Sequence, residues 1–559
     1  VSAAAFLDPV ALLAGGPRRF NLAIQRLLLS LGFDDVRIID GAGDGGGDLL
    51  AHRAAESFVF QAKWTTGASI GREAVDEVEA ARSRYGTQRA VVVTNAAPDG
   101  AAQKRAADLA DVGSKVEFWT GLHLRRLAEA IPERVPGQLD LRPYQHRAIE
   151  ALERDCSERR RALLILATGL GKTVVGGEVI RRHLERHPGA SVLVVAAMKE
   201  LVQQLERAMW RHLPKTVATQ VLNGDQKPVS LKGVTCATVE SALSAVLHEG
   251  YRPDLIMVDE THHVAEEGAF QQLLLATEAA VHFGVTATPW RGDGFDITTH
   301  FGQPSFKMGI AEGMAQGWLA QVDYRVLVDD VDWDVVKAAS QRGYTLKELN
   351  SRLFLPQRDE AILDVLWETW TKTPNPRAIL FCKTIQHAEA MAEAMARYAP
   401  NWANATCLHT DLGKRERDVA LSSFRSGAIP VLTAVDILNE GVDVPDVNIL
   451  AFLRVTHSRR IFVQQLGRGL RLREGVKERV TVLDFVTDVR RMAAILSFRE
   501  ELERARGPAE TLVLSSAARV SFSNAEVGSL MDAWLRDVAD VETAIDEAKL
   551  QFPALDGDR

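Results

Sequence analysis

The sequence predicts an α/β protein, a small mixed unit followed by two doubly wound parallel-sheet domains, and three observations carry that reading. Near-continuous apolar runs, "ALLILATG", "SVLVVAA", "GVTCAT", "LIMVDE" and "VHFGVTATP", then "AILFCK", "IPVLTAVD", "VNILAFL" and "RVTVLDFV", alternate with helical patterns. Strands apolar on both faces with helices between them belong to parallel sheets covered on both sides. The series is too long for one sheet, and a charged stretch without strand rhythm near residues 325–375 divides it. Ahead of it, "IPERVPGQLD", with two prolines and a glycine, reads as a linker closing a separate unit.

In that first unit Phe20, Ile24, Leu27, Leu28 and Leu31 recur at helical spacing. "GFDDVRII" then leads into the glycine-rich "GAGDGGGD", followed by two short strands, "LLAH" and "SFVFQAK". A helix at "REAVDEVEAARSRY", a strand at "RAVVVTN", a further helix and the strand "KVEFW" complete it. The expected domains are residues 1–135, 139–325 and 326–498. A helical C-terminal extension over 499–559 has no assigned chemistry and reads as a structural cap or partner surface.

At 559 residues, 46% hydrophobic and 25% charged, the chain is long enough for several cores. No apolar run approaches the ~20 residues of a membrane-spanning helix, and the start lacks the basic lead-in of a secretory signal, so no membrane partner and a cytoplasmic location are expected. Cys156, Cys236, Cys382 and Cys407 are far apart, which argues against a disulfide framework and against a sequence-local zinc site; reduced, mostly buried thiols are expected. A net charge of -8 excludes a polycation, so any grip on nucleic acid must come from local clusters.

The clearest chemistry is "LILATGLGKTVV", a buried strand, a glycine turn and a helix start. Thr168, Gly169 and Gly171 belong to a loop whose backbone N–H groups can close around phosphates. Lys172 reaches the outer phosphates and Thr173 offers a hydroxyl to Mg2+. Leu166 stands where the strict pattern has glycine, so the match is to the variant Ala-Thr-Gly-x-Gly-Lys-Thr. "LIMVDETHH" places Asp259 and Glu260 at the end of another buried strand, where open parallel sheets bind ligands. Asp259 suits the metal; Glu260 suits orienting or deprotonating an attacking water.

A second constellation lies in "SFVFQAKW". Alternation puts Gln61 and Lys63 on one strand face, and an unpaired buried lysine is costly. With a hairpin turn at Ala54-Ala55, Asp48 lies directly across from Gln61, and Lys63 is one pleat further along the same face. Asp48, Gln61 and the Ala62 carbonyl then suit Mg2+, which keeps most of its waters. Lys63 suits positioning a metal-activated water and offsetting charge on a phosphorane. His52 and Glu56 are expected at the surface, and Asp44 equally suits turn chemistry.

"LRPYQ", "ATGLGKT", "DETH", "TATP", "VDILNEGVDVP" and "QQLGRGLR" occur in the order of the superfamily-2 helicases and translocases, over roughly Leu139 to Val486. Their combination resembles the branch containing restriction-enzyme motor subunits and DNA-repair helicases. The resemblance implies two RecA-like domains, with Gln145 at the adenine edge and Thr286 and Thr288 coupling nucleotide state to the nucleic-acid groove. It places Asp436, Gly441 and Asp443 at the seam between lobes, and Gln464, Arg468 and Arg471 facing the nucleotide from the second lobe. Cation insertion at a transferred phosphoryl group is worth on the order of 10³ to 10⁵ in rate. Arg459, Arg460 and Arg473 read as surface or backbone contacts.

From about Phe20 to Ala130, the Asp48, Gln61 and Lys63 pattern with "GFDDV", "GDGGGDLL" and "VVVTN" resembles the Mrr-like restriction endonucleases, whose core motif is Asp, then Glu or Gln, x, Lys. That resemblance implies a PD-(D/E)xK restriction-endonuclease-like domain. Asn21 departs from it, because many members carry a glutamate after the first-helix phenylalanine.

The expectation is an ATP-dependent DNA helicase or translocase coupled to a metal-dependent endonuclease, using ATP and Mg2+ or Mn2+. DNA is the expected substrate and a defence system the expected source of any protein partners. Two rival readings use the same residues: a motor whose first domain is a non-cleaving DNA sensor, and an RNA-remodelling helicase.

Overall fold

The computed structural model describes residues 4–39, 47–54, 56–132, 140–228, 230–261, 264, 268–287, 296–327, 359–435, 447–453, 470, 479–485, 489–505 and 519–522. Its contacts divide the chain into two compact units. The first comprises Val1–Leu163, Thr173–Gly284 and His300–Ser305; the second comprises Leu164–Lys172, Val285–Thr299 and Phe306–Arg559.

The first unit opens with helix α1 (Pro9–Ser30), capped by Asp8, whose carboxylate accepts from the Ala11 N–H, and kinked at Gly16, where φ is 59° just before Pro17. Strands β1 (Asp34–Ile38), β2 (Leu49–Arg53) and β3 (Glu56–Lys63) form an antiparallel run. After the two-residue β4 (Ser69–Ile70), helix α2 (Arg72–Tyr85) leads to β5 (Arg89–Thr94). The two-residue β6 (Ala97–Pro98), α3 (Gly100–Asp111), β7 (Val116–Trp119) and α4 (Gly121–Ala130) follow. The sheet order is β1-β2-β3-β5-β7, with β3, β5 and β7 parallel.

Alternation along β3 sorts two cores onto opposite faces. Phe58, Phe60 and Ala62 pack with Phe20, Ile24 and Leu27 of α1 and Leu124 of α4. Val59 packs with Val75, Val78 and Ala81 of α2 and with Ala102 and Leu109 of α3. The period-2 pattern of "SFVFQAK" thus becomes an α/β/α sandwich.

Helix α5 (Pro143–Arg159) begins the first parallel-sheet domain. Its strands are β8 (Arg161–Leu166), β9 (Val192–Ala196), β10 (Thr219–Leu222), β11 (Val234–Thr238), β12 (Leu255–Asp259), β13 (Val281–Thr286) and β14 (Phe306–Met308), in the order β10-β11-β9-β12-β13-β8-β14. Helix α6 (Lys172–Arg186) follows β8 and α7 (Lys199–Met209) follows β9. The first sandwich is joined to this domain by buried charge. Arg26, 2% exposed, donates to the Pro214 and Val217 carbonyls and to Thr219 Oγ1. Burial lowers its guanidinium to about 10, opposed by nearby Glu206. Arg19 donates to the Thr219 carbonyl at 2.7 Å and pairs with Glu206 at 3.7 Å.

In the second unit β15 (Gln321–Leu327), β16 (Ala378–Cys382), β17 (Thr406–Leu408), β18 (Val431–Ala434), β19 (Ile449–Leu453), β20 (Arg479–Phe485) and β21 (Arg519–Phe522) form a parallel sheet in the order β17-β18-β16-β19-β20-β15-β21. Two strands bear on the expected domain limits. The domain boundary at 325/326 falls inside β15, which pairs along its whole length with β20, so the chain changes sheets before Gln321. The stretch read as a helical extension supplies an edge strand, β21, as well as part of the helix Val489–Ala505.

All four cysteines are free, with Cys236 and Cys382 buried. Among the described residues no helix is long and apolar enough to cross a membrane.

Candidate functional site

Two sites take shape. At the first, β8 is buried along Ala162–Leu166 and ends in a loop that needs left-handed backbone at Gly169 (φ 91°) and Gly171 (φ 86°), which glycine adopts without steric cost. Ala167 N–H donates to the Met308 carbonyl at 3.0 Å, and fully buried Leu170 donates to the Ala167 carbonyl. The loop is therefore pinned by its two buried apolar residues, Ala167 and Leu170, while Thr168 and the two glycines stay partly exposed. Lys172 and Thr173 open α6, at the helix end whose free N–H groups favour phosphate. A Cβ on Gly176 of α6 would lie 2.8 Å from Met257 Sδ, so α6 sits directly on β12.

That strand carries Asp259, 9% exposed, at its end. Glu260 follows with φ 49°, a left-handed conformation that non-glycine residues rarely hold. Thr261 and Thr286 are fully buried, and a Cβ on Gly284 would lie 2.4 Å from Thr261 Cγ2, so the turn after β12 is wedged against β13. Gln145 is buried near the start of α5, where its Oε1 accepts from the Arg142 N–H at 2.9 Å. The amide oxygen expected at an adenine edge thus also closes the first turn of its own helix. Gly441, Asp443, Gln464, Arg468 and Arg471, with Thr288 and Asp436, lie outside the described residues. Between the last two arginines, Leu470 is buried and its carbonyl accepts from the Ala320 N–H.

At the second site the hairpin has the expected register. Leu49 pairs with Phe60 and Arg53 with Glu56, and Ala54 has φ 55°; Ala55, the other expected turn residue, lies outside the described residues. Asp48 N–H donates to the Phe60 carbonyl, which continues the ladder and sets Asp48 opposite Gln61. One Asp48 carboxylate oxygen accepts from the Ala62 N–H at 2.7 Å. Gln61 is 5% exposed and its buried Oε1 has no hydrogen-bond partner among the described residues. An orphaned amide oxygen beside a carboxylate fits a hard divalent cation, which takes oxygen ligands. Among the described residues no three His, Cys, Asp or Glu side chains gather as a metal cluster.

Sequence reading missed one neighbour: Lys63 pairs with Glu77 of α2. The helical pattern marks Ala74, Val75, Val78 and Ala81 as the buried stripe, and Glu77 is one of several acids on its flank, so no local signal selects it. Asn21 is 4% exposed on α1, the helix that packs with Phe58 and Phe60 on the other face. His52 and Glu56 are exposed, as expected.

Three family models match in succession: restriction endonuclease of the Mrr type over residues 12–128, the type III restriction enzyme res subunit over 138–291 and the helicase conserved C-terminal domain over 357–473. The chain is 26% identical over 376 residues to the type I restriction enzyme EcoAI endonuclease subunit of Escherichia coli, across 62% of this chain and 46% of that protein. It is 24% identical over 375 residues to the DNA 3'-5' translocase XPB2 of Sulfurisphaera tokodaii, across 61% and 80%. Among solved structures, the ATP-dependent type ISP restriction-modification enzyme LlaBIII bound to DNA shares the fold, with a TM-score of 0.54, 17% identity, and 94% of this chain and 42% of that one covered. The chain spans about half the length of several of the curated relatives it matches. It carries an N-terminal restriction endonuclease domain of the Mrr type followed by the two domains of a superfamily-2 helicase.

Proposed function

We propose that this chain is an ATP-driven DNA helicase or translocase coupled to a Mg2+-dependent endonuclease, acting on foreign DNA in restriction or antiphage defence within the cytoplasm. The observation that carries it is the register that sets Asp48 across from the unpartnered Gln61 Oε1, with Lys63 one pleat on. In this reading Asp48 and Gln61 hold a divalent cation, and Lys63 stabilises charge on the phosphodiester. At the motor site Gly169, Gly171 and Lys172 cradle the phosphates, Thr173 and Asp259 hold Mg2+, and Glu260 orients the attacking water. By the family resemblance, Arg468 and Arg471 would supply cation to the transferred group, and Gln464, Gly441 and Asp443 would serve the same nucleotide. Relatives that include a restriction-enzyme subunit and a DNA translocase support DNA as the track.

Asn21 favours a second reading, in which the first domain binds DNA without cutting it, because α1 brings no carboxylate to the hairpin. The deciding experiment incubates modified and unmodified phage-length DNA with the protein, with and without ATP and Mg2+ or Mn2+, followed by electrophoresis. Metal-dependent cleavage supports the nuclease. ATP turnover stimulated by DNA without cleavage supports the sensor, and stronger stimulation by RNA at matched salt defeats the DNA assignment.

A further inference from the structure

We propose that Glu77 is the acidic positioning residue of the nuclease site, holding the Lys63 ammonium at the face where Asp48 and Gln61 meet. The inference rests on the nuclease reading above and assigns a residue that no sequence motif marks.

The argument begins with which helix can reach that face. Along β3, Phe58, Phe60 and Ala62 point into the core shared with α1 and α4. Val59 points into the core shared with α2 and α3. Gln61 and Lys63 have the parity of Val59 and so lie on the α2 side. Asp48, opposite Gln61, shares that side, since Leu49 and Ala51 enter the α1 core while Leu50 packs against the α2 core. A carboxylate from α1, at the Asn21 position, belongs to a helix packed on the other face. One from α2 is packed on the same face as the three site residues.

Among the acids of α2, Glu73 stands exposed in the first turn, and Asp76 and Glu79 have partners of their own. Asp76 takes Arg72 at 2.9 Å and Arg105 at 2.6 Å, and the Arg105 contact holds its carboxyl below the usual range. Glu79 takes Arg82 at 2.9 Å and the Ser114 hydroxyl at 2.7 Å. Glu77 is the one that pairs with Lys63. Both side chains are about one-third exposed or more, 34% for Lys63 and 40% for Glu77, and ion pairs so exposed contribute little to stability. What such a pair does well is fix the direction of a flexible four-carbon side chain. Here that direction places the ammonium on the face of Gln61 Oε1 and Asp48, ready for phosphate oxygen once DNA arrives.

The test uses the full chain and two readouts. In the first, Lys63 is acylated with an amine-reactive reagent and the modified peptide is quantified by mass spectrometry over time. In Glu77→Gln, Lys63 should react several-fold faster than in the wild type, with Glu77→Asp close to wild type. In the second, Glu77→Gln should lower kcat for metal-dependent DNA cleavage at least tenfold with KM for DNA little changed, and Glu77→Asp should recover most of it. DNA-stimulated ATP hydrolysis at the wild-type rate confirms that the variant is folded. Equal acylation rates in wild type and Glu77→Gln overturn the pairing. Faster acylation with wild-type cleavage overturns the positioning role. If the wild type shows a protected Lys63 but never cuts with any divalent metal, the nuclease reading itself fails and takes the catalytic role of Glu77 with it.

Discussion

Lys215 of the motor domain donates from its buried ammonium to the Ile131 carbonyl of the nuclease domain at 2.6 Å. The same nitrogen takes the carbonyls of Ala128 at 2.9 Å and Glu129 at 3.3 Å, so one cation closes the carboxyl end of α4, where helix carbonyls lack partners and the dipole favours positive charge. Arg26 makes the reciprocal insertion, from α1 into the Pro214–Thr219 segment. Each domain buries a cation in the backbone of the other, and the two are held in one orientation.

Lys215→Met keeps most of the side-chain volume and strips three carbonyls of their donor. It should cost about 2–4 kcal/mol, the range for buried polar groups left unsatisfied. Arg26→Met should cost a similar amount, because Glu206, itself 2% exposed, loses nearby positive charge. Urea unfolding of the two single variants and the double variant measures the terms and their coupling. Lys215 itself stands in the Pro214–Thr219 segment that Arg26 binds, so the double variant should lose less than the sum. A neutral result for both singles would mean that the domain contact is held by apolar packing alone.

The hairpin and the phosphate loop were legible because their chemistry is local. A two-residue turn fixes the register of ten residues, so Ala54-Ala55 determines that Asp48 faces Gln61. Strand, glycine turn and helix start are contiguous at Leu166–Thr173, and Asp259-Glu260 follow directly on a buried strand. What stayed hidden depends on residues distant in sequence. Lys215 and Ile131, or Arg26 and Thr219, carry no periodicity that links them. Glu77 is selected from the acids of α2 only by the rotation of the helix on the sheet. Strand β15 looks like any buried strand, and only its partner β20 shows which sheet it joins.

Glu260 offers a way to separate backbone strain from chemistry. Its φ of 49° costs on the order of 1 kcal/mol for a non-glycine residue. Glu260→Gly should therefore stabilise the protein by up to about 1 kcal/mol while abolishing ATP turnover, and Glu260→Gln should abolish turnover with little gain. Lys172→Ala should abolish turnover as well. Steady-state hydrolysis and thermal midpoints on the same preparations decide it. Wild-type turnover in Glu260→Gln or Lys172→Ala would remove the motor assignment.

Acid should destabilise the first unit through buried histidines. His282 is fully buried, its Nε2–H donates to the Thr277 carbonyl at 2.9 Å and its Nδ1 meets His300 Nε2 at 3.0 Å, and it is lowered to about 3 mainly by burial; His212 is lowered to about 4 for the same reason. An imidazole in the unfolded chain protonates near pH 6.5. Between that pH and about 4 the unfolded chain binds protons that these native rings refuse, so stability falls as pH falls, by up to about 1.4 kcal/mol per pH unit for each ring. Above pH 7 the term vanishes. Urea midpoints at pH 7.5, 6 and 5 should decline in that order, and His282→Gln should flatten the decline.

Metal binding can be read without any cleavage. A cation that binds only the folded site raises stability by RT ln(1 + [L]/Kd), about 2.7 kcal/mol at a hundredfold excess over Kd. Mn2+ should therefore raise the thermal midpoint of the wild type, and chelation should reverse it. Asp48→Asn keeps a side-chain oxygen to accept from the Ala62 N–H, so the hairpin survives, but the anionic ligand is gone. That variant should unfold near the wild-type temperature without metal and show little Mn2+ shift. Gln61→Leu, which removes the orphaned buried Oε1, should be as stable as the wild type or more so without metal, because no described residue satisfies that atom. It should lose much of the Mn2+ shift. A full shift in Asp48→Asn would move the cation elsewhere, and a destabilised metal-free Gln61→Leu would show that the amide serves the fold and not a ligand.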